Sequence, residues 1–243
     1  MTRTPAHGTP VSALPALCLA EQAGNENRMA DTEQNKKTSA PKRRRRRKEA
    51  RPAELIEAGL QEFAEKGFAA TRLEDVAARA GVVKGTIYLY FENKEALFRA
   101  AIHSRTAPAI ADVQGIVDTF PGDTESLLRL VFHTLYEKLV KGDVRIILRI
   151  MISEGHRFPE ILEYYHANTI CIAKQLLTRI LRRGIERGEF RADIPIDYPV
   201  VVAAPAITAA MWMMTFQQYD PLDIDAYAAA HVDIVLNGLL SRA

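Results

Sequence analysis

Thr71-Arg72-Leu73-Glu74-Asp75-Val76-Ala77-Ala78-Arg79-Ala80-Gly81-Val82-Val83-Lys84-Gly85-Thr86-Ile87-Tyr88-Leu89-Tyr90-Phe91 is the stretch from which the fold can be read. Leu73, Val76, Ala77 and Ala80 recur at i, i+3, i+4 and i+7, so one apolar stripe runs along a short helix. Thr71 and Glu74 have the spacing of a capping box, in which Thr71 caps and Glu74 reaches back from the third helical position. Gly81 breaks this helix after barely more than two turns. A second short helix is expected from about Lys84 to Tyr90, with Ile87 and Phe91 facing inward. Two short helices joined by a tight turn make a helix-turn-helix, a unit whose second helix fits the major groove of DNA.

The outward face of that second helix then carries the chemistry. Lys84 and Tyr88 stand at i and i+4, with Gly85 and Thr86 beside them. Lys84 can reach a guanine edge or a phosphate, and Gly85 allows close approach because it has no side chain. Thr86 and Tyr88 offer hydroxyls, and the Tyr88 ring can touch a thymine methyl. Tyr90, at the far end, suits a backbone contact. Thr71 and Arg72, at the start of the preceding helix, offer amides, a hydroxyl and a charge to phosphates. Lys94 lies in the first turn of the next helix, where a cation opposes the helix dipole at a cost of roughly a few tenths of a kcal/mol. A phosphate docked there would reverse that sign.

Outward from this unit the chain reads as helix. Ile56, Leu60, Phe63 and Ala64 give an apolar face upstream, closed by Gly67 as a left-handed cap. Asn93 is placed to cap a longer helix through Leu97, Phe98, Ala101 and Ile102. Further helices are expected over Thr124–Val140, Val144–Glu154, Pro159–Arg187, Tyr198–Gln218 and Ile224–Leu240, with no strand alternation anywhere. The expectation is an all-α chain of about nine helices. Residues 1–41 lack periodicity and read as a disordered leader, inside which Met29 is an alternative translation start. The seven cations Lys42 to Lys48 repel one another, so 42–50 reads as a mobile basic arm.

Composition narrows the function classes. The chain has 243 residues, 48% of them hydrophobic, and two cysteines far apart, Cys18 and Cys171, which excludes a disulfide scaffold and fits the cytoplasm. Its net charge of +2 hides an asymmetry: residues 42–105 carry fifteen basic and nine acidic side chains, residues 106–243 thirteen and seventeen. That distribution points to a polyanion partner for one part only. The short apolar run from Val11 to Ala20 holds Pro10 and Pro15 at its edge and centre and reads poorly as a signal peptide. The uncharged stretch Tyr198 to Phe216 contains Pro205 and is flanked by Asp197 and Asp220, as in a buried helix rather than a membrane span. The six histidines have no metal-binding spacing, and no nucleophile elbow, P-loop or dinucleotide fingerprint occurs. Neither an enzyme, a metal site nor a cofactor is expected.

The residues Gly67-Phe68 through Thr71, Val76-Ala77, Ala80-Gly81-Val82, Lys84 to Phe91 and Lys94-Glu95-Ala96-Leu97 together resemble the signature of the TetR family. The resemblance covers about 51–102. It implies a homodimer with an N-terminal three-helix DNA-binding domain over 51–102 and a C-terminal helical ligand-binding and dimerisation domain over 103–243. Family members are mostly repressors released from DNA by a small molecule. By position, Thr71, Lys84, Gly85, Tyr88, Tyr90 and Lys94 match the family's DNA contacts. Val83 departs from it, standing where a small polar residue is frequent. The remaining two-thirds match only in helix number and order and in Gly188-Glu189-Phe190-Arg191.

Two further expectations concern the larger part. Ala203, Ala206, Ala210 and Met213 share a face of one terminal helix, and Ala228, Val232, Val235 and Leu239 a face of the other, so these helices are candidates for a four-helix dimer interface. Phe132, Tyr136, Tyr165, Trp212, Met213 and Phe216, with Tyr164 and Met214, are large apolar groups suited to an effector pocket. The function expected is a homodimeric repressor released from a pseudo-palindromic operator by a small hydrophobic effector. The second reading is an architectural DNA-binding protein without an effector, dominated by the basic arm.

Overall fold

Apolar side chains recur at helical spacing from Leu55 onward in the chain, whose computed structural model describes residues 42–241. The leader 1–41 and its Met29 lie outside them. Ten α-helices follow in order: α1 Lys42–Lys66, α2 Leu73–Arg79, α3 Lys84–Ile87, α4 Lys94–Thr119, α5 Thr124–Leu135, α6 Val144–Glu154, α7 Pro159–Tyr165, α8 Cys171–Glu186, α9 Val200–Thr215 and α10 Ile224–Leu239. A π-helical turn, Tyr136–Val140, extends α5, and another, His166–Ile170, joins α7 to α8 as one rod, giving nine helical segments among the described residues. Extended pairing there is limited to a single bridge between Phe190 and Leu240.

α1 begins at Lys42, so the cationic run takes helical backbone where an arm without regular geometry was expected. Lysine and arginine are good helix formers, and no glycine or proline interrupts 42–51. Pro52 removes one ladder bond where this run meets the amphipathic part. Beyond it Leu55, Ala58, Phe63 and neighbouring Leu60 are buried. Gly59 makes the crossing with α4 possible, because a Cβ there would lie 2.9 Å from Leu97 Cδ2. Gly67 ends α1 at φ +78°, the left-handed cap expected from the sequence. The Asn93 side chain accepts from the Ala96 amide at 2.7 Å and caps α4, also as expected.

The core under the helix-turn-helix is aromatic. Phe63, Phe68 and Phe98 are fully buried, with ring centres 5.1–5.4 Å apart, and Phe158 meets Phe68 edge-on at 4.6 Å. Ile147, Ile150 and Met151 of α6 and Ile161 and Tyr165 of α7 belong to the same cluster. The boundary expected at 102/103 falls within α4, and this cluster draws residues from both sides of it. A second cluster joins α5, α8 and α10 through Leu127, Phe132, Ile180 and Leu236. A third packs Tyr136 and Val140 against Ala206, Ala209 and Ala210 of α9.

Two buried polar groups tie this part together. His231 is 4% exposed; its Nε2 lies 2.8 Å from the Val202 carbonyl and its Nδ1 3.0 Å from the Tyr136 hydroxyl. The carbonyl can only accept, so Nε2 carries the proton, and Nδ1 accepts from Tyr136. Burial pushes the His231 pKa down, its bond to Val202 opposing this. No helix among the described residues is long and apolar enough to cross a membrane, including α9, which holds the uncharged stretch.

Candidate functional site

The recognition unit is built from α2, the turn at Gly81 and α3. Val82 N–H donates to the Ala77 carbonyl at 2.9 Å, and Gly81 takes φ +66° to close the turn. Ile87 is fully buried and Phe91 nearly so, which fixes the opposite side of α3 outward. α-Helical geometry ends at Ile87; Leu89 and Tyr90 continue as a tighter turn bonded back to Thr86 and Ile87. Lys84, Gly85 and Tyr88 are exposed, Thr86 and Tyr90 half-buried. A Cβ on Gly85 would meet nothing within 4 Å, so the fold itself does not require glycine there. Arg72 is exposed and makes no ion pair among the described residues. Val83, at the N-cap of α3, is 76% exposed.

Glu74 organises this face, and it does so differently from the sequence expectation. α2 has Arg72 at its N-cap with no side-chain cap, so the capping box does not form. Glu74 points forward to α3, 2.9 Å from Lys84 Nζ and 2.9 Å from the Tyr88 hydroxyl, which donates to it. Lys84, with help from a backbone amide and Tyr88, holds the Glu74 pKa down at about 2. Thr71 is 2% exposed; its hydroxyl donates to the Gly67 carbonyl at 2.7 Å and points at that of Glu62 at 3.3 Å. Its hydroxyl is thus spent on closing the end of α1 and is withdrawn from DNA, correcting the expected phosphate contact.

Lys94 is corrected in the same way. Its Nζ donates to the carbonyls of Phe68 and Ala69 at 3.0 and 2.8 Å and lies 4.8 Å above the Phe68 ring. The cation at a helix start has a partner, as its position demanded, but the partner is the chain's own backbone. From the other side, the Glu154 carboxylate accepts from the amides of Phe68 and Ala69, both at 2.8 Å. Nothing in the local sequence marked Glu154, because its partners lie 85 and 86 residues away. Arg149, also on α6, donates to the Ala64 carbonyl of α1.

The larger part holds a partly open cavity of about 230 Å³ between α4, α5, α6, α8 and α9. Thr106, Ala109, Ile110 and Val113 of α4 form one wall, Val144 and Leu148 of α6 another, and Ala173, Leu176 and Leu177 of α8 a third. Both π-helical turns contribute, through Lys138 and Leu139 and through Thr169 and Ile170. Such turns misalign the helix ladder locally and recur at functional sites. Of the six residues expected here, Phe132 and Tyr165 line the cavity. Tyr136, Trp212, Met213 and Phe216 do not. Tyr136 is committed to His231, Trp212 Nε1 donates to the Asp220 carbonyl, Met213 packs on the third cluster, and Phe216 lies tilted against Trp212 and is 52% exposed. Large side chains fill space; the cavity lies where small and aliphatic ones leave it.

These features coincide with a known arrangement. The family described as "Bacterial regulatory proteins, tetR family" matches residues 55–101, and "Tetracyclin repressor-like, C-terminal domain" matches 116–235. The chain belongs to the TetR family. Among its relatives, the fatty acid metabolism regulator protein of Bacillus subtilis is 24% identical over 206 residues, 80% of this chain and all of that one. The transcriptional repressor KstR2 of Mycobacterium tuberculosis is 26% identical over 191 residues, 78% of this chain and 93% of that one. The structure of Bacillus subtilis FadR in complex with stearoyl-CoA matches at a TM-score of 0.61 and 23% identity, over 76% of this chain and 98% of that one, and shows the shared fold. TetR-family proteins are helix-turn-helix DNA-binding transcription regulators with ligand-binding C-terminal domains, and its homologues are regulators rather than enzymes.

Burial within the chain also alters the dimer face read from sequence. Ala206 and Ala210 are fully buried against this chain's own Tyr136 and Val140, and Leu239 is 6% exposed in the second cluster. Small residues on α9 do allow a close neighbour, and that neighbour is intramolecular. The exposed large apolar groups of the terminal helices lie elsewhere: Val200, Val201 and Met211 on α9 and Ile234 on α10, 43%, 65%, 42% and 71% exposed.

Proposed function

We propose that the chain is a repressor that binds a pseudo-palindromic operator as a homodimer in the cytoplasm and leaves it when a small apolar effector fills the cavity. One observation carries this reading: α4 and α6 each belong to both sites. α4 lines the cavity from Thr106 to Val113 and buries Leu97, Phe98, Ala101 and Ile102 beneath the recognition unit. α6 lines the cavity with Val144 and Leu148, and at its other end Glu154 grips the Phe68-Ala69 turn. An effector that favours another packing of these helices thereby favours another placement of α3, which is the differential affinity that release requires.

Lys84, Gly85, Thr86, Tyr88, Tyr90 and Arg72 form the DNA face in this reading, and the cations of Lys42 to Lys48 add phosphate contacts. In this reading the exposed Val201, Met211 and Ile234 form the contact between subunits, and the operator's half-sites lie about one DNA turn apart, roughly 34 Å. A relative concerned with fatty acid metabolism and a structural neighbour holding stearoyl-CoA support an apolar effector.

The test is selection of bound duplexes from a random library by the full chain. An enriched inverted repeat with half-sites about one turn apart is expected. Enrichment of no sequence, with binding that salt abolishes equally on all duplexes, would establish the architectural reading instead.

A further inference from the structure

The cavity is apolar inside, yet three polar groups on its wall have nothing in the chain to bind. Tyr165 is 7% exposed and lines the cavity, and its hydroxyl makes no hydrogen bond among the described residues. That oxygen keeps accessible surface, so a ligand atom in the cavity can reach it. Burial also pushes its pKa up to about 12, so it stays a donor. Lys138, on the π-helical turn after α5, and Lys174, on α8, line the same cavity and are exposed, which puts them at its rim. Neither has a carboxylate partner among the described residues; the nearby Glu137 is paired with Lys141. The other lining hydroxyls are occupied: Thr106 donates to the Ile102 carbonyl, Thr134 to that of Leu130, and Thr169 to Thr106.

We infer that the ligand of this cavity is an amphipathic anion, its apolar body enclosed between α4 and α8, its acid group paired with Lys138 and Lys174 and an oxygen of it accepting from Tyr165. This rests on the cavity being the effector site. The cavity volume, about 230 Å³, is below the roughly 300–1,000 Å³ of sites that enclose a drug-sized molecule. The buried body is correspondingly small, or the ligand is inserted only in part, with its charged end left at the rim. Both favour a molecule whose two ends differ in polarity. The anion can be a free carboxylate or the phosphates of a thioester carrier; the recognising chemistry is shared.

The full chain is titrated calorimetrically with decanoate, decanoyl-CoA, decanol and decyltrimethylammonium, and each is then tested for release of the duplex selected above. Decanoate or decanoyl-CoA is expected to bind and release DNA, decanol more weakly, and the cation not at all. Whichever anion binds identifies the source. Lys138→Gln with Lys174→Gln should weaken the anion about tenfold to a hundredfold and leave decanol unchanged, as loss of charge-assisted bonds requires. Tyr165→Phe should weaken the anion several-fold with unchanged thermal stability, because the hydroxyl holds nothing in the chain. Decanol equal to decanoate, with the lysine variant indifferent, would overturn the inference while leaving the effector reading intact. If none of the four binds, and filling the cavity through Ala173→Phe also leaves DNA binding unchanged in a folded chain, both the ligand class and the effector reading fall.

Discussion

The Tyr88 hydroxyl donates to the Glu74 carboxylate at 2.9 Å, on the face that would meet phosphate. The same carboxylate neutralises Lys84 at 2.9 Å. A duplex approaching α3 meets a tethered cation and an acid that repels it. Glu74→Gln frees the charge of Lys84 and loosens Tyr88. Affinity for scrambled duplex is expected to rise, and the slope of log affinity against log salt to steepen by up to about 1. Preference for the selected operator should fall, since Tyr88 loses its fixed direction. Anisotropy titrations over a salt series read both; a shallower slope would show that Glu74 presents Lys84 to the duplex rather than restraining it.

The turn Phe68-Ala69 is gripped from two sides, its carbonyls by Lys94 and its amides by Glu154. Lys94→Met is expected to lower stability by about 1–2 kcal/mol in denaturant unfolding, through lost charge-assisted bonds. DNA affinity of the folded variant should change little, opposite to what a phosphate contact would give. Glu154→Ala leaves two amides without partners and should cost about 2–4 kcal/mol.

The terminal helices separate two kinds of substitution. Ile234→Glu and Met211→Glu place charge on exposed apolar positions and should yield a folded monomer in sedimentation, with helicity kept. Leu239→Glu buries a charge inside the chain and should unfold it, or lower its midpoint sharply, before any effect on assembly is seen. A dimer surviving in both exposed variants would place the interface on another face.

Acid should act through His231. Its pKa is lowered in the folded chain from the ordinary 6.5, so the unfolded chain binds the extra proton first. The stability it confers is complete above about pH 6.5 and is lost as the pH falls below that value. Protonated Nδ1 can no longer accept from Tyr136. Melting curves between pH 8 and 5.5 should show a fall that His231→Gln reduces; an equal fall in the variant would assign the acid sensitivity to other groups.

Much of the helix-turn-helix was legible because its signals are local. Gly67, Gly81 and Asn93 act through backbone geometry within a few residues, and Ile87 and Phe91 follow from periodicity. The errors at Thr71, Glu74 and Lys94 share a cause. Each of these residue types seeks a partner, and the partner comes from another segment: the end of α1 for Thr71, α3 for Glu74, the Phe68-Ala69 carbonyls for Lys94. The cavity was hardest to foresee, because a void is defined by what several helices fail to fill. Lys138 and Lys174 look like ordinary surface lysines in the sequence; only the fold puts both on the lining of one cavity.

Pro108 lies within α4, between the cavity residues Thr106 and Ala109, and cannot donate to the Ser104 carbonyl. The helix runs 26 residues, roughly 39 Å at 1.5 Å per residue. It is therefore a lever with a built-in fulcrum where the ladder is weakest. About 14 residues, roughly 21 Å, separate that fulcrum from the tip at Lys94. A tilt of about 5° there would carry the tip by about 2 Å, simple trigonometry on that arm length. On the effector reading proposed above, a ligand no larger than the cavity would need to shift its wall by only a fraction of that distance to misalign α3 with the groove.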